Sequence, residues 1–341
     1  MSRVVVTNET RRRDLPWLRL RIRKSLDDIC HTLEMEIPSS HRAAVRKHDL
    51  IRVRVENPLI SGGRRLVATV RVDEITSDAE ANAHRVTVIG RSPARDIIDS
   101  TWEGELWSNN DARWTLAGVA RRIAGEFDID VDWFPKGQPD PTACVNFFAW
   151  QNESPWAKLI VEADAQGFLI TSNEAGGLYI WKAAGTARSE GFHVTEGGNV
   201  RTVEWRQNGA EQFHEYVVRG AFAEARVFDP ECRTSRVLYI DMVDERVEPE
   251  KLRRRAETEM RRRRENRTRV TVSGWGLSDR QIRALPGTAN RELFWSPNFL
   301  IPVRMPSLGL RDNLLTAEVE HEADAHVMQT TVTLVHREAY L

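Results

Sequence analysis

Arginine is the first residue type that could bind a ligand, because it is concentrated in one segment. The sequence LRRRAETEMRRRREN at 252–266 carries two arginine runs, at 253–255 and 261–264. Clustered guanidinium groups can bind the phosphates of a nucleic acid. Glutamates are interleaved with these arginines, and acid near one end with base toward the other complements a helix dipole. The pattern therefore favours a solvated helix face or a subunit contact over a phosphate site.

Histidine and cysteine are the candidate metal ligands. His321 and His326 stand in the sequence HEADAH, which differs from the HExxH pattern that places two imidazoles one helical turn apart. The cysteines are far apart and odd in number, being Cys30, Cys144 and Cys232. Their spacing supports neither a metal site nor a disulfide framework, which favours a reducing compartment. We predict no metal ligands.

Motifs for catalysis are missing from the sequence. The glycine pairs at 62–63 and 197–198 lack the strand–loop–helix context of a phosphate loop and are typical of turns. No serine occurs in a GxSxG motif, and no pair of acids is marked out for glycoside hydrolysis. We predict no catalytic residues, no cofactor-binding residues, no cofactor and no enzymatic activity.

Length and composition bound the class of protein. The chain has 341 residues, which is enough for two or three domains. Hydrophobic residues make up 41% and charged residues 29%, as in ordinary soluble globular proteins. The net charge of −1 gives the protein no overall electrostatic attraction to nucleic acids or membranes. No apolar stretch is long enough for a signal peptide or a bilayer span, so we predict no stable membrane insertion.

The elements that must position any site include one β-strand block that occurs twice. The first copy, at about 48–91, contains LIRVRV at 50–55, LVATVRVDE at 66–74 and RVTVIGR at 85–91. The second, at about 298–337, contains LIPVRM at 300–305, LLTAEVEHE at 314–322 and TVTLVHR at 331–337. Apolar and polar residues alternate in each piece, as in half-buried strands.

The order and approximate spacing of these pieces match between the copies. The first pieces align without a gap. The third pieces align after a small deletion in the preceding turn, matching Val86, Thr87 and Arg91 with Val332, Thr333 and Arg337. We predict two similar β-domains. The cores of these domains would be filled by the strand faces that carry Ile51, Val53, Ile301 and Val303.

Between the two copies the composition changes. Seven of the eleven tryptophans lie between Trp102 and Trp181. A helical apolar pattern covers 111–127, a second helix is predicted to start with Ser154 as its cap and Pro155 at its first position, and a hairpin is predicted at 168–181. We predict that 1–100 form one β-domain of about six strands, 101–190 an inserted α+β domain, and 191–341 a second β-domain.

The last third departs from a simple repeat. Segments 203–206 and 215–219 are similar to the strands that open the first domain, at 18–24 and 32–37. A charged helix is predicted over 249–267, before strand periodicity returns at 269–275. We therefore predict a helical excursion at about 220–268 within the second β-domain.

Several of these segments together resemble a known family, the central hub proteins of Mu-like contractile phage tails, also described as 43 kDa-type tail proteins. VTVIGRSPARDIIDST at 86–101 resembles the segment that closes the first barrel of that family. The match continues in order through ESPWAKLIVEADAQGFLI at 153–170, GGLYIW at 176–181, EGGNVRTVEWRQNGAEQFHEYVVRG at 196–220, the arginine-rich helix and VTVSGW at 270–275.

The resemblance implies a mainly β fold with an α+β insertion and two duplicated tube-like β-barrel domains per chain. Three chains would form a homotrimer with a pseudo-six-fold ring, which adapts a trimeric spike to a six-fold tail tube. The hub part of type VI secretion spike proteins is related, but there the chain continues into the spike. Here the last repeat strand is followed closely by Leu341, so we expect the spike to be a separate protein.

The resemblance further implies partners and a location. The partners are other copies of this chain, the spike, the tail tube and other baseplate proteins, with no small-molecule substrate. The location is the virion tail baseplate, with assembly in the host cytoplasm. Two other functions remain open from sequence. The first is a nucleic-acid-binding protein using the helix at 251–269, and the second is a cell-wall hydrolase within a tail, which no motif supports.

Overall fold

The structure is a computed structural model that describes residues 2–80, 83–101, 106–107, 115–134, 148–149, 154–182, 191–242, 249–264, 266–285, 287–288 and 291–340. The first hundred residues contain seven strands where about six were predicted, namely β1 (Arg3–Asn8), β2 (Arg13–Asp14), β3 (Arg19–Ser25), β4 (Thr32–Pro38), β5 (Leu50–Glu56), β6 (Arg64–Glu80) and β7 (Ala83–Arg91). A 3-10 helix at Ser39–Ala44 and helix α1 (Arg95–Asp99) complete this part.

The middle of the chain is α+β in its described parts, as predicted. Its elements are β8 (Leu106–Trp107), α2 (Leu116–Gly125), β9 (Val131–Phe134), β10 (Phe148–Ala149), α3 (Pro155–Ala165), β11 (Phe168–Ser172) and β12 (Leu178–Lys182). Thr115 caps α2 by accepting a hydrogen bond from the Gly118 N–H. Ser154 precedes α3 as predicted, but its side chain makes no capping hydrogen bond.

The last third combines strands with two helices. Its elements are β13 (Val194–Thr195), β14 (Val200–Arg206), β15 (Glu215–Arg219), β16 (Glu224–Phe228), β17 (Val237–Asp241), α4 (Pro249–Arg264), β18 (Arg267–Ser273), α5 (Asp279–Ala284), β19 (Leu300–Met305), β20 (Leu310–Asp324) and β21 (Met328–Val335). Short 3-10 helices occur at Pro306–Leu308 and Arg337–Tyr340. The arginine-rich helix ends at Arg264 rather than at 267, because Arg267 already begins β18.

The strands of the repeated block pair in the same way in both copies. Strand β5 pairs antiparallel with β6 and β6 with β7, just as β19 pairs with β20 and β20 with β21. In each copy the long middle strand has a β-bulge in its pairing with the third strand. The bulge lies between Val72 and Glu74 in β6 and between Thr316 and Glu318 in β20. A bulge bends a strand at a fixed position, so it gives the two ladders a common reference point.

These ladders correct the sequence alignment of the third piece. Immediately after the bulge, Ile75 pairs with Val88 and Val319 pairs with Val332. Val332 therefore corresponds to Val88, not to Val86. The alignment slipped by two residues because side chains alternate with period two, and a shift of two keeps every apolar residue on the same face.

The two halves of the chain share one sheet. The second half of β20 pairs antiparallel with β3, which joins strands from both ends of the chain into a sheet of 13 strands. The order along it is β14-β18-β21-β20-β3-β4-β7-β6-β5-β1-β2, with β19 paired with β20 and β13 paired with β19. This order is open, so the described residues of a single chain do not form the two closed barrels that the resemblance implied.

Inward positions of this sheet carry the core of each half. Ile51, Val53 and Val55 are fully buried, while Arg52 and Arg54 on the opposite face are partly exposed, as the alternation predicted. Ile301 and Val303 are buried in the second half. The two cores are distinct clusters. A third core packs α2 and α3 against β11 and β12, and it takes in Ile29, Cys30, Ala94 and Ile97 from the first hundred residues.

Strand β15 does not play the role predicted for it. The segments 203–206 and 215–219 were likened to β3 and β4, which pair with each other, but β14 pairs with β18, and β15 lies in a separate three-stranded sheet of order β16-β15-β17. Helix α4 covers this small sheet, burying Leu252 and Ala256 against Tyr216 and Val218. The chain has therefore left the large sheet by Glu215, whereas the helical excursion was predicted to begin at about 220.

Gly90 lies in β7 opposite the bulge of β6, where the strands approach closely. A Cβ atom at this position would lie 2.5 Å from the backbone carbonyl oxygen of Arg71. We expect Gly90→Ala to lower the free energy of unfolding by about 1–3 kcal/mol, as overpacking against backbone does. Urea denaturation measures the loss. The matched control is Gly125→Ala at the end of α2, where a Cβ atom meets nothing within 4 Å, and an equal loss in both variants would contradict the assignment.

Candidate assembly interface

The junction between β3 and β20 joins strands from the first half of the chain to strands from the second half. Three arginines of β3 face three glutamates of β20 across this junction. Arg21 donates to the Glu322 Oε1 atom over 2.9 and 3.0 Å, and Arg23 donates to the Glu318 Oε2 atom over 2.6 and 2.8 Å. Cross-strand pairs of opposite charge favour one register of an antiparallel ladder. The outer face of the junction is therefore held by a charge ladder.

The inner face of the same junction holds a polar cluster, where β3 and β20 meet the inserted segment. The Lys24 side chain is 2% exposed, and its Nζ atom lies 3.0 Å from the Glu174 Oε1 atom. His321 is fully buried; its Nδ1 lies 3.0 Å from the Thr330 hydroxyl oxygen and its Nε2 lies 3.1 Å from the Trp295 carbonyl oxygen. His31 lines a cavity of about 20 Å³, which is room for one water.

Burial and the lysine charge set the protonation of this cluster. Burial lowers the pKa of His31 to about 3, and the Lys24 ammonium adds to this effect. Burial likewise lowers the pKa of His321 well below its usual value, again helped by Lys24. Burial alone would raise the pKa of Glu174, but attraction to Lys24 together with hydrogen bonds from Lys24 and from the backbone holds that pKa below its usual value. The cluster therefore contains one ion pair, formed by a buried lysine and a partly exposed glutamate, and two neutral imidazoles at neutral pH.

The arginine-rich helix α4 is held by carboxylates of its own chain. The Arg255 Nη1 atom lies 2.7 Å and the Arg262 Nη2 atom 3.5 Å from the two carboxylate oxygens of Asp164 in α3. Other arginines of the helix pair with acids, as in Arg253–Glu257, Arg261–Glu257, Arg263–Glu259 and Arg264–Glu231. The Arg262 guanidinium also lies over the Tyr340 ring, 5.2 Å from its centroid. This arrangement agrees with an architectural helix and gives no support to a phosphate site.

Asp164 is the carboxylate on which this docking depends most, since its side chain is only 12% exposed and serves two arginines. We expect Asp164→Asn to lower the free energy of unfolding by about 1.5–3 kcal/mol, the range for hydrogen bonds to charged groups. The control is Arg253→Gln, which removes an exposed pair within α4 and should cost less than about 0.5 kcal/mol. Denaturant titration compares them, and equal losses would show that α4 is not anchored through Asp164.

The residues singled out as candidate ligands do not come together. His321 is buried in β20, whereas His326 is exposed in the following turn. Cys30 and Cys232 are buried free thiols, and Cys144 lies outside the described residues. Within the described ranges there is no group of three or more His, Cys, Asp or Glu side chains placed to hold a metal ion. The helices in the same ranges include none that is both long and apolar enough to cross a membrane.

Sequence reasoning missed Lys24, His31 and Glu174 as members of one cluster. Lys24 lies on the same inward face of β3 as Leu20 and Ile22, which are fully buried. A lysine in phase with buried residues was the available signal, because a buried ammonium requires a partner.

Comparisons with known proteins give a relative and a fold. No family model matches the chain. Baseplate hub protein gp44 of Escherichia phage Mu is 26% identical over 301 residues, covering 82% of this chain and 74% of that protein. The 43 kDa tail protein of prophage MuSo2 from Shewanella oneidensis superposes with a TM-score of 0.73 at 22% identity, covering 99% of this chain and 98% of that one.

A more distant structure has the same fold. The E. coli c3393 protein, described as a component of the type VI secretion system, has a TM-score of 0.55 at 10% identity and covers 94% of this chain and 73% of that one. The resemblance found in the sequence is thereby confirmed: the chain is similar to the baseplate hub protein of phage Mu and shares the fold of a Mu-like prophage tail protein.

Proposed function

We propose that this protein is the structural hub of a contractile, Mu-like phage tail baseplate, where it adapts a trimeric spike to a six-fold tail tube. The observation that carries this is the sequence similarity to a baseplate hub protein over 82% of the chain. The fold shared with a Mu-like prophage tail protein over nearly the whole length supports it. The virion tail baseplate is then its place of action, and its role is structural rather than catalytic.

The hub proposal divides the chain into tube-like β-domains at 1–100 and 191–341, around an inserted domain at 101–190. The matching ladders β5-β6-β7 and β19-β20-β21 support a duplication, since strand order, direction and bulge position agree. Separate apolar cores in the two halves support it as well. The small sheet under α4 is an addition to the second domain.

Three chains of this kind would supply six similar β-units. Closed symmetry is the norm for homo-oligomers, and a head-to-tail contact closes into a ring at a fixed copy number. A homotrimer with a pseudo-six-fold ring can meet a trimeric spike on one side and a six-fold tube on the other with nearly equivalent contacts. The spike, the tube and other baseplate proteins are its proposed partners.

Electron microscopy of the purified protein tests this function. Class averages should show a ring with six similar lobes around an open centre. A compact particle without a channel would contradict the hub, and clearing of peptidoglycan by the pure protein would favour a hydrolase instead. Tight binding of duplex DNA at moderate salt, lost on Arg261→Glu with Arg263→Glu, would favour a nucleic-acid-binding protein.

A further inference from the structure

Two strand edges of the large sheet have no partner strand among the described residues. Strand β14 pairs with β18 on one side only. The second half of β6, residues 74–80, pairs with β7, whereas β5 covers only the first half of β6 up to Arg71. Apolar side chains are exposed on β14, where Val203 is 38% and Trp205 is 50% exposed. An uncovered edge with apolar residues is a ready template for another strand.

The chain itself contains a covered counterpart of β14, which is β3. In the first half, Met35 of β4 pairs with Leu20 on one side and Val88 on the other. In the second half, Val270 of β18 pairs with Val203 on one side and Val332 on the other. The position of the bulge makes Val332 the counterpart of Val88. Strand β14 therefore occupies the same place in the second half as β3 does in the first, and Val203 is the counterpart of Leu20.

Strands β3 and β14 differ in whether a neighbouring strand covers them. Leu20 and Ile22 are fully buried, and β20 supplies the strand beside them. Trp205 occupies the position of Ile22 but remains half exposed, because no strand covers β14. The counterpart of the covering segment of β20 is the open half of β6, since Glu318 and Glu74 both come directly after the bulge.

We propose that β14 of one chain pairs antiparallel with residues 74–80 of β6 in a second copy of the chain, in the register that β3 uses on β20. This rests on the proposed trimer and specifies the contact that builds it. Ile22 lies opposite His321, which is three residues past Glu318. The same register places Trp205 opposite Ser77 and Arg206 opposite Thr76.

Side-chain chemistry suits this register at its apolar and basic positions. The large Trp205 side chain meets the small Ser77, and both are exposed in the single chain. Arg23 bonds Glu318 diagonally across the internal junction, and Arg206 would reach Glu74 in the same way. Glu204 opposite Asp78 is a like-charge pair, which weakens the contact. Arg269, the cross-strand neighbour of Glu204, lies on the same face to offset it.

A continuous ring would form if the β3–β20 junction within each chain alternated with the β14–β6 junction between chains. Within each chain β3 covers β20, and between chains β14 would cover β6. Every unit would then have one strand edge filled by the unit on each side. A ring closed in this way leaves none of these four edges open to further chains, so the proposed trimer would add no further copies.

Cysteine cross-linking tests the register. The double variant Ser77→Cys with Trp205→Cys should form disulfide-linked dimers and trimers under mild oxidation, because the two positions lie opposite each other. The control, Glu74→Cys with Thr202→Cys, places its thiols six residues out of register, roughly 20 Å apart, and should stay unlinked. The single variants measure background linkage through native cysteines.

A second variant tests the same contact without cross-linking. Trp205→Asp should convert the trimer to monomer with unchanged circular dichroism. Phe222→Asp, at an apolar residue that is 88% exposed in the turn between β15 and β16, outside the large sheet, should remain trimeric. A wild-type trimer that fails to cross-link at 77 and 205, or that survives Trp205→Asp, overturns this interface while the hub stands. A wild-type monomer overturns both the interface and the trimeric hub.

Discussion

Replacement of Glu174 with glutamine is expected to lower the free energy of unfolding by about 3–5 kcal/mol, as loss of one partner of a buried ion pair does. Lys24 is 2% exposed, and Glu174 is the carboxylate at its Nζ atom. A glutamine leaves the ammonium buried without a counter-charge. Because the Glu174 side chain is itself 34% exposed, water can relieve part of the penalty, and we expect the lower end of the range.

Two further variants separate this effect from general damage. Glu34→Gln removes an exposed carboxylate 3.8 Å from Arg21, and it should change the unfolding free energy by less than about 0.5 kcal/mol. Lys24→Met combined with Glu174→Leu removes both charges and should lose less than Glu174→Gln alone. Urea denaturation followed by circular dichroism gives all three values. A loss under about 1 kcal/mol in Glu174→Gln would contradict a buried ion pair.

Acidification from pH 7 to pH 5 is expected to lower the unfolding free energy by about 2 kcal/mol for each of the two buried histidines. In the unfolded chain a histidine binds a proton near pH 6.5. In the folded chain the pKa of His31 is about 3, and that of His321 is also well below its usual value. The unfolded state therefore binds more protons below pH 6.5, so stability is full above that pH and falls as acid is added.

The slope of stability against pH isolates the histidines from the carboxylates. His321→Gln should reduce the loss between pH 7 and pH 5 by about 2 kcal/mol relative to the wild type, whatever its effect at pH 7. His326→Gln, at an exposed position in the next turn, should leave the slope unchanged. Equal slopes in the wild type and His321→Gln would show that His321 is not held neutral.

Local features of the fold were readable from sequence, whereas strand partners were not. The alternation at 50–55 located β5 and its buried face, and the charge gradient at 252–266 located α4 within three residues of its end. The strand that pairs with β14 could not be predicted from sequence, because β18 lies some sixty residues further along the chain and β15 has an equally good strand pattern. Pairing between distant strands is decided by packing, not by local propensity.

The buried cluster shows the same division. Its members come from β3, the segment before β4, the β11–β12 turn and β20, so no spacing in the sequence marks them as a group. Only the topology brings Lys24 and Glu174 to one place. The inward phase of Lys24 and of His321 was nevertheless visible once each strand was assigned, because each lies on the buried side of its strand.

The measurement that bears most directly on the hub is the mass of the purified protein in solution. Multi-angle light scattering across a range of concentrations should give about three times the chain mass of 39.1 kDa, with no change on dilution into the micromolar range. That result is what the proposed hub, with two similar β-units per chain and a six-fold partner, requires. A mass of one chain at every concentration would contradict a trimeric hub.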